Sequence, residues 1–230
     1  DLAYFDLTQQ ARGWLAIVQQ TSSQYGQNPM ISQGMFTSEW IYNFSNAQGH
    51  RAIAYSYNGN CPYILGPELQ TNPRIGNGNV LVFQQETTPD SGQFWIYARI
   101  LGTTCGPNYR ISTDTGTSPD TDGTTVVWID GPTGGLVRYD IATNTLTPVD
   151  GITSTKTNPR VRGNWIVWED NRSGDLDVYG YSISDSTEYV VAGGPGNQYA
   201  PSLAGIHVAY ASQISPAPGS IHVKTMQPPQ

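Results

Sequence analysis

One short pattern returns five times along the chain and restricts what it can fold into. It is clearest in "NPRVRGNWIVWEDNRSGDLDVYGYSI", residues 158–183. Its opening recurs as "NPMISQGM" at 28, "NPRIGNGN" at 72, "SPDTDGTT" at 118 and "APSLAGIH" at 200. The anchoring prolines are Pro29, Pro73, Pro119, Pro159 and Pro201, so the period lies between 40 and 46 residues. After each comes a glycine, then an apolar run that ends in an aromatic: Trp40, Phe83, Trp128, Trp168 and Tyr210. Each unit goes on through a polar loop to a tyrosine-rich run ("RAIAYSY", "FWIYARI", "LVRYDIA", "DVYGYSI") and a further short run before the next proline. The runs are β-branched and aromatic, with Gly, Pro, Asn and Asp between them, and none keeps a helical period. Four strands per unit of this length is the signature of a propeller blade.

The predicted fold is therefore all-β: a five-bladed β-propeller of four-stranded antiparallel blades, forming one domain over residues 1–230. Residues 1–29 align with 175–201, so the N-terminal strands are expected to complete the C-terminal blade and close the ring. The count leaves a surplus, since "LAYFDL" at 2–7 and "SIHVKTMQ" at 220–227 both read as third strands. Three readings of a spare strand stand open: it lies outermost in its own blade, it marks a cut from a longer array, or it pairs with a neighbouring subunit.

The repeat resembles that of the TolB-like, YWTD/WD40-type propellers of bacterial and archaeal envelopes and surfaces, over essentially the whole chain. That resemblance implies a propeller and a binding or scaffold role outside the cytoplasm, and no single ligand.

Charged residues are only 13% of the chain, and the net charge is −7 with two lysines, Lys156 and Lys224. A nucleic-acid partner needs a basic footprint that this chain lacks. No apolar run approaches the length of a membrane span. The start at Asp1 without Met suggests processing, as on export, or a trimmed chain. Cys61 and Cys105 fall in the same turn of consecutive units and are expected to form a disulfide, which would place the protein outside a reducing compartment.

In a four-stranded antiparallel blade the loops between strands two and three share a face with the links between blades. "EDNRSGD" at 169–175 lies there with 43–51, 84–93, 129–135 and 212–220. Asp170 and Arg172 in that loop are read mainly as turn-holding and blade-clamping groups. The recurring aromatics are expected in the core, whereas Trp95 and Trp165 fall outside their register and are candidates for exposed contacts.

Just after the prolines stand Arg74, Asp120 and Arg160, and two places on Asp122 and Arg162. These innermost positions predict opposite charges on adjacent blades, paired as bridges. The alternative is an anionic ligand held by Arg74 and Arg160. The ligand-binding candidates are thus Arg74, Asp120, Arg160, Arg162, Asp170 and Arg172.

Nothing in the sequence calls for a metal or cofactor: His50, His207 and His222 are scattered, and "SPDTDGT" lacks the rest of a calcium loop. There is no G-x-S-x-G elbow. The sequence reading is a non-catalytic binding or scaffold propeller, extracellular, surface-bound or periplasmic. It would bind a protein partner or assemble with itself through the loop face or the terminal strands. A carbohydrate-binding lectin is the alternative. A glycoside hydrolase using Asp120, Asp130 or Asp170 is the second alternative.

Overall fold

The computed structural model describes residues 24–32, 35–42, 50–56, 63–64, 69–101, 107–214 and 218–227. They fall in two units, Asp1–Thr113 and Asp114–Gln230. In the first unit, one sheet runs in order β1 (Gln24–Ser32), β2 (Met35–Tyr42), β3 (His50–Ser56) and β4 (Tyr63–Ile64). The next follows as β5 (Gln70–Ile75), β6 (Val80–Glu86), β7 (Phe94–Ile100) and β8 (Tyr109–Arg110).

The second unit holds a third sheet of β9 (Gly116–Thr121), β10 (Thr125–Asp130), β11 (Leu136–Asp140) and β12 (Thr145–Asp150). Its fourth sheet is β13 (Lys156–Arg162), β14 (Trp165–Asp170), β15 (Asp177–Ser182) and β16 (Thr187–Ala192). The fifth has three strands, β17 (Asn197–Ala204), β18 (His207–Gln213) and β19 (Ser220–Thr225). Every pairing is antiparallel between consecutive strands.

The repeat has a local cause. Each anchoring proline sits in a first strand, at a break in register against the second strand. The residue before it takes positive φ: 50° at Asn72, 55° at Ser118, 49° at Asn158 and 54° at Ala200. Proline disfavours right-handed α geometry in its predecessor and has no N–H to offer the ladder, so it belongs at a bulge. Asn72 then donates to Gln84 (2.5 Å) and Asn158 to Glu169 (2.9 Å), tying bulge to second strand in the same way in two sheets.

Packing in the second unit is layered. Val127 and Leu136 of the third sheet meet Val161, Ile166, Trp168, Tyr179 and Tyr181 of the fourth. On the other face of the fourth sheet, Trp165, Val167, Val178, Val191 and Ala192 meet Val208 and Met226 of the fifth. Covered on both sides, β14 and β15 are buried at every position. Apolar residues therefore run consecutively in Trp165–Trp168 instead of alternating.

Phe83, Trp128 and Trp168 are buried as expected, while Tyr210 is only half-buried. The expectation of an exposed Trp165 needs correcting. It is 2% exposed and meets Tyr189 edge-on, because the fifth sheet covers that face. Trp95 is half-buried beneath the Arg110 guanidinium, 4.4 Å away.

Five complete blades in a closed ring is also more than the described residues contain. Four sheets have four strands and the last has three. Its third place is held by Ser220–Thr225; "LAYFDL", the other run expected there, lies outside the described residues. The N-terminal residues expected to close the ring lie outside the described residues, as do Cys61 and Cys105.

Candidate functional site

The third and fourth sheets are joined by buried charge. Asp150 closes β12, Lys156 opens β13, Asp170 closes β14, Arg172 follows in the loop and Glu188 lies in β16. The Lys156 ammonium, with no exposed side-chain surface, stands 3.2 Å from Asp150 and 3.6 Å from Asp170. It also donates to Ile152 O (2.5 Å) and Ser154 Oγ (2.7 Å). Arg172 reaches Asp150 (3.0 Å), Asp170 (2.5 Å) and Glu188 (2.6 Å), with its guanidinium 4.1 Å over the Tyr179 ring.

Asp170 accepts from Arg172 Nε and Nη2, from the Arg172 main-chain N–H and from Trp168 Nε1. Burial alone would raise its pKa. Hydrogen bonds from Arg172, Ser154 and Trp168 outweigh burial and hold it below the usual carboxylate value. For Glu188 burial wins and the pKa is raised. The Arg172 pKa is raised because its carboxylate partners outweigh desolvation. With its acceptor sites taken, Asp170 works here as one jaw of a clamp between sheets.

The same position carries a second device. The loop between strands two and three is stapled by an acid at the end of strand two. Glu86 accepts from Asp90 N (3.1 Å) and Gly92 N (2.7 Å). Asp130 accepts from the Thr133 main chain (3.3 Å) and hydroxyl (2.7 Å), and Asp170 from Arg172 N (2.9 Å). In the fifth sheet, Ser212 stands where Asp170 does in the fourth, and no such staple forms there among the described residues.

The predicted bridges between blades are present in altered register. Asp120 pairs with Arg162 at 3.2 Å and also accepts from Val161 N at 2.9 Å. Asp122 accepts from Gly163 N (2.8 Å) and from Thr124 and Thr125. Burial would raise the Asp122 pKa, and these bonds overcome it, so it is lowered. Arg160 donates to the carbonyl of Pro159 (2.8 Å), and Arg74, in the first unit, to that of Pro73 (2.9 Å). The bulge turns these two arginines back on their own strands. Among the described residues, no group of three or more His, Cys, Asp or Glu could hold a metal ion.

Sequence reasoning found Asp170, Arg172, Asp120 and Arg162, and it missed Asp150, Lys156 and Glu188. The available signal was Lys156, one of two lysines in the chain, set in a strand next to an anchoring proline.

No protein-family profile and no curated protein matches the chain. Solved structures do. A putative TolB from Agrobacterium tumefaciens aligns with a TM-score of 0.62 at 15% identity, over 92% of this chain and 80% of that one. An oligogalacturonate lyase in complex with manganese gives 0.64 at 13%, over 91% and 67%. A puromycin-hydrolyzing peptidase of Mycobacterium tuberculosis gives 0.68 at 11%, over 89% of this chain but only 37% of that one. At these identities the likeness is one of fold, and it supports a TolB-like β-propeller.

The comparisons also correct one expectation. Setting catalysis aside does not stand, because several structures of this fold are enzymes: the lyase, a prolyl endopeptidase and puromycin hydrolases. This chain covers little more than a third of the peptidases, so what it shares with them is the propeller part. No helix among the described residues is long and apolar enough to cross a membrane.

Proposed function

We propose that the chain is a protein-binding propeller of the cell exterior that assembles with further copies of itself by strand addition at β19. One observation carries this reading: the outer edge of the fifth sheet is open among the described residues, and it is apolar. Ile221 is 76% exposed and Val223 69%, more than any other large hydrophobic described. Natural sheets shield such an edge with charge, proline or a covering segment, since its unpaired backbone groups attract another strand. Each of the other sheets has a fourth strand in that place.

The sequence offers more strand-like runs than that one place needs. Two apolar runs precede β1, "LAYFDL" at 2–7 and "WLAIVQQ" at 14–20. With β19 in the third place, one vacancy faces two candidates. In this proposal the N-terminal run of one copy completes the fifth sheet of the next. Such a head-to-tail contact closes into a ring or runs on as a filament. Export belongs to the same proposal, and pairing of Cys61 with Cys105 would accompany it.

Light scattering over a concentration series tests the reading. The mass is expected to grow above the 25.0 kDa of one chain and to return to it in Ile221→Lys/Val223→Lys. A single 25.0 kDa species at every concentration would reject assembly and leave the chain's own N-terminal run as what closes the sheet.

A further inference from the structure

A pocket of about 390 Å³ opens between the fourth and fifth sheets, lined in part by Gln198, Tyr210, Ser212, His222 and Lys224. We infer that it is a binding site for a hydroxylated carboxylate of sugar-acid type. The site uses His222 and Lys224 of β19, whereas the assembly test changes Ile221 and Val223 of the same strand, and the site's residues lie away from the buried charge cluster.

The pocket has an unmet acceptor. Gln198 is 5% exposed; its Nε2 donates to Gly196 O at 3.1 Å, and its Oε1 receives no hydrogen bond. The Gly196 carbonyl fixes which end of the amide is oxygen, since a flipped amide would set two acceptors against each other. A buried acceptor left unmet costs free energy until a donor arrives, and a ligand hydroxyl is such a donor.

The pocket also carries a positive charge at its exposed rim. Lys224 Nζ donates to Val191 O (2.7 Å) and Val190 O (3.4 Å), and it has no carboxylate partner among the described residues. With two carbonyls already engaged, the ammonium has one N–H to spare. That suits a single carboxylate oxygen better than a phosphate, which calls for several donors at once. A neutral sugar would leave the charge unanswered.

The wall gives the third element. Tyr210 and His222 stack at 5.3 Å and 18°, a flat surface against which the C–H face of a sugar ring can lie. The volume is near the lower end of the range for ligand pockets, which fits a ligand of one or two rings.

The test titrates the full-length protein with D-glucuronate, D-glucose and acetate, followed by backbone NMR. Glucuronate is expected to move the resonances of Gln198, Ser212, His222 and Lys224 and to bind at least about tenfold more tightly than glucose or acetate. Lys224→Met should remove the preference over glucose, and Gln198→Leu the preference over acetate. Equal affinity for the three, no binding of glucuronate, or shifts elsewhere on the molecule would overturn the inference. So would unchanged preferences in both variants. Because the readout is ligand binding, a failure here leaves the assembly reading standing, and the reverse also holds.

Discussion

The fourth and fifth sheets are built from the same repeat and meet different ends. The fourth has every residue of β14 and β15 buried, and its charges are locked to the third sheet. The fifth shows every residue of β19 to solvent. Their bulges and registers match, so the backbone pattern does not cause the difference. The fourth is covered on both faces by neighbouring sheets, and the side chains after strand two differ as well. In the fourth sheet Asp170 and Arg172 staple the loop and reach the neighbouring sheet. In the fifth those places hold Ser212 and Ile214, and no such clamp forms there among the described residues. The repeat builds a sheet, and in the fourth the acid–arginine pair adds a buried clamp to the third.

Breaking the fastening should give the largest effect. Arg172→Ala leaves Asp150 and Asp170 to share Lys156 as their one cation and Glu188 with none, and is expected to cost about 3 kcal/mol in urea unfolding followed by tryptophan fluorescence. Arg172→Lys should recover part of that loss, since it keeps the charge and loses the fork. If Arg172→Ala unfolds like the wild type, the clamp is ornamental and the comparison fails.

Gly180→Ala comes next. A Cβ there would lie 2.8 Å from Val191 Cγ2 and 2.9 Å from Met226 Cε, where the fifth sheet packs on the fourth. Overpacking of this kind is expected to cost about 1–3 kcal/mol, and an unchanged melting temperature would mean that this contact is loose.

Acid should loosen the fastening with a definite sign. Asp170 and Asp122 have lowered pKa values in the folded protein. Their stabilisation is fully present above the ordinary value of 3.8 and is lost as pH falls through the folded values. Glu188, with its raised pKa, acts the other way, gaining stability as pH falls through its own range. Urea midpoints measured from pH 7 to pH 2 should therefore drop steeply only below about 4. Asp170→Asn should flatten that drop.

The smallest change sharpens the comparison from the side of the fifth sheet. Ala200 holds φ 54° before Pro201, where the second and fourth sheets use Asn72 and Asn158. Ala200→Asn is expected to raise stability by roughly 0.5 kcal/mol, because Asn enters this region at less cost than Ala. A loss would mean that the bulge of the fifth sheet differs from the others.

Much of this was legible in the sequence. The prolines, the spacing and the aromatic ends of strand two located five units and their strands, because each rests on a local requirement: a bulge, a turn, a buried ring. The Asp120–Arg162 bridge was legible as opposite charges on adjacent units. Its register was not, since the bulge that turns Arg160 back on Pro159 depends on backbone geometry. Lys156 and Glu188 were hidden because an isolated charge gives no sign that the neighbouring sheet will bury it. The fate of Tyr210 was hidden for a related reason. Its register says core, yet in the fifth sheet, with three strands among the described residues, it lines a pocket.

The open edge of β19 is the central claim, and hydrogen exchange on the wild-type protein tests it most directly. The β19 amides that do not pair with β18 would be followed at low and high protein concentration. The account predicts fast exchange when dilute and protection that grows as copies associate. Protection that is already complete in dilute solution would contradict it, because the edge would then be filled within a single chain.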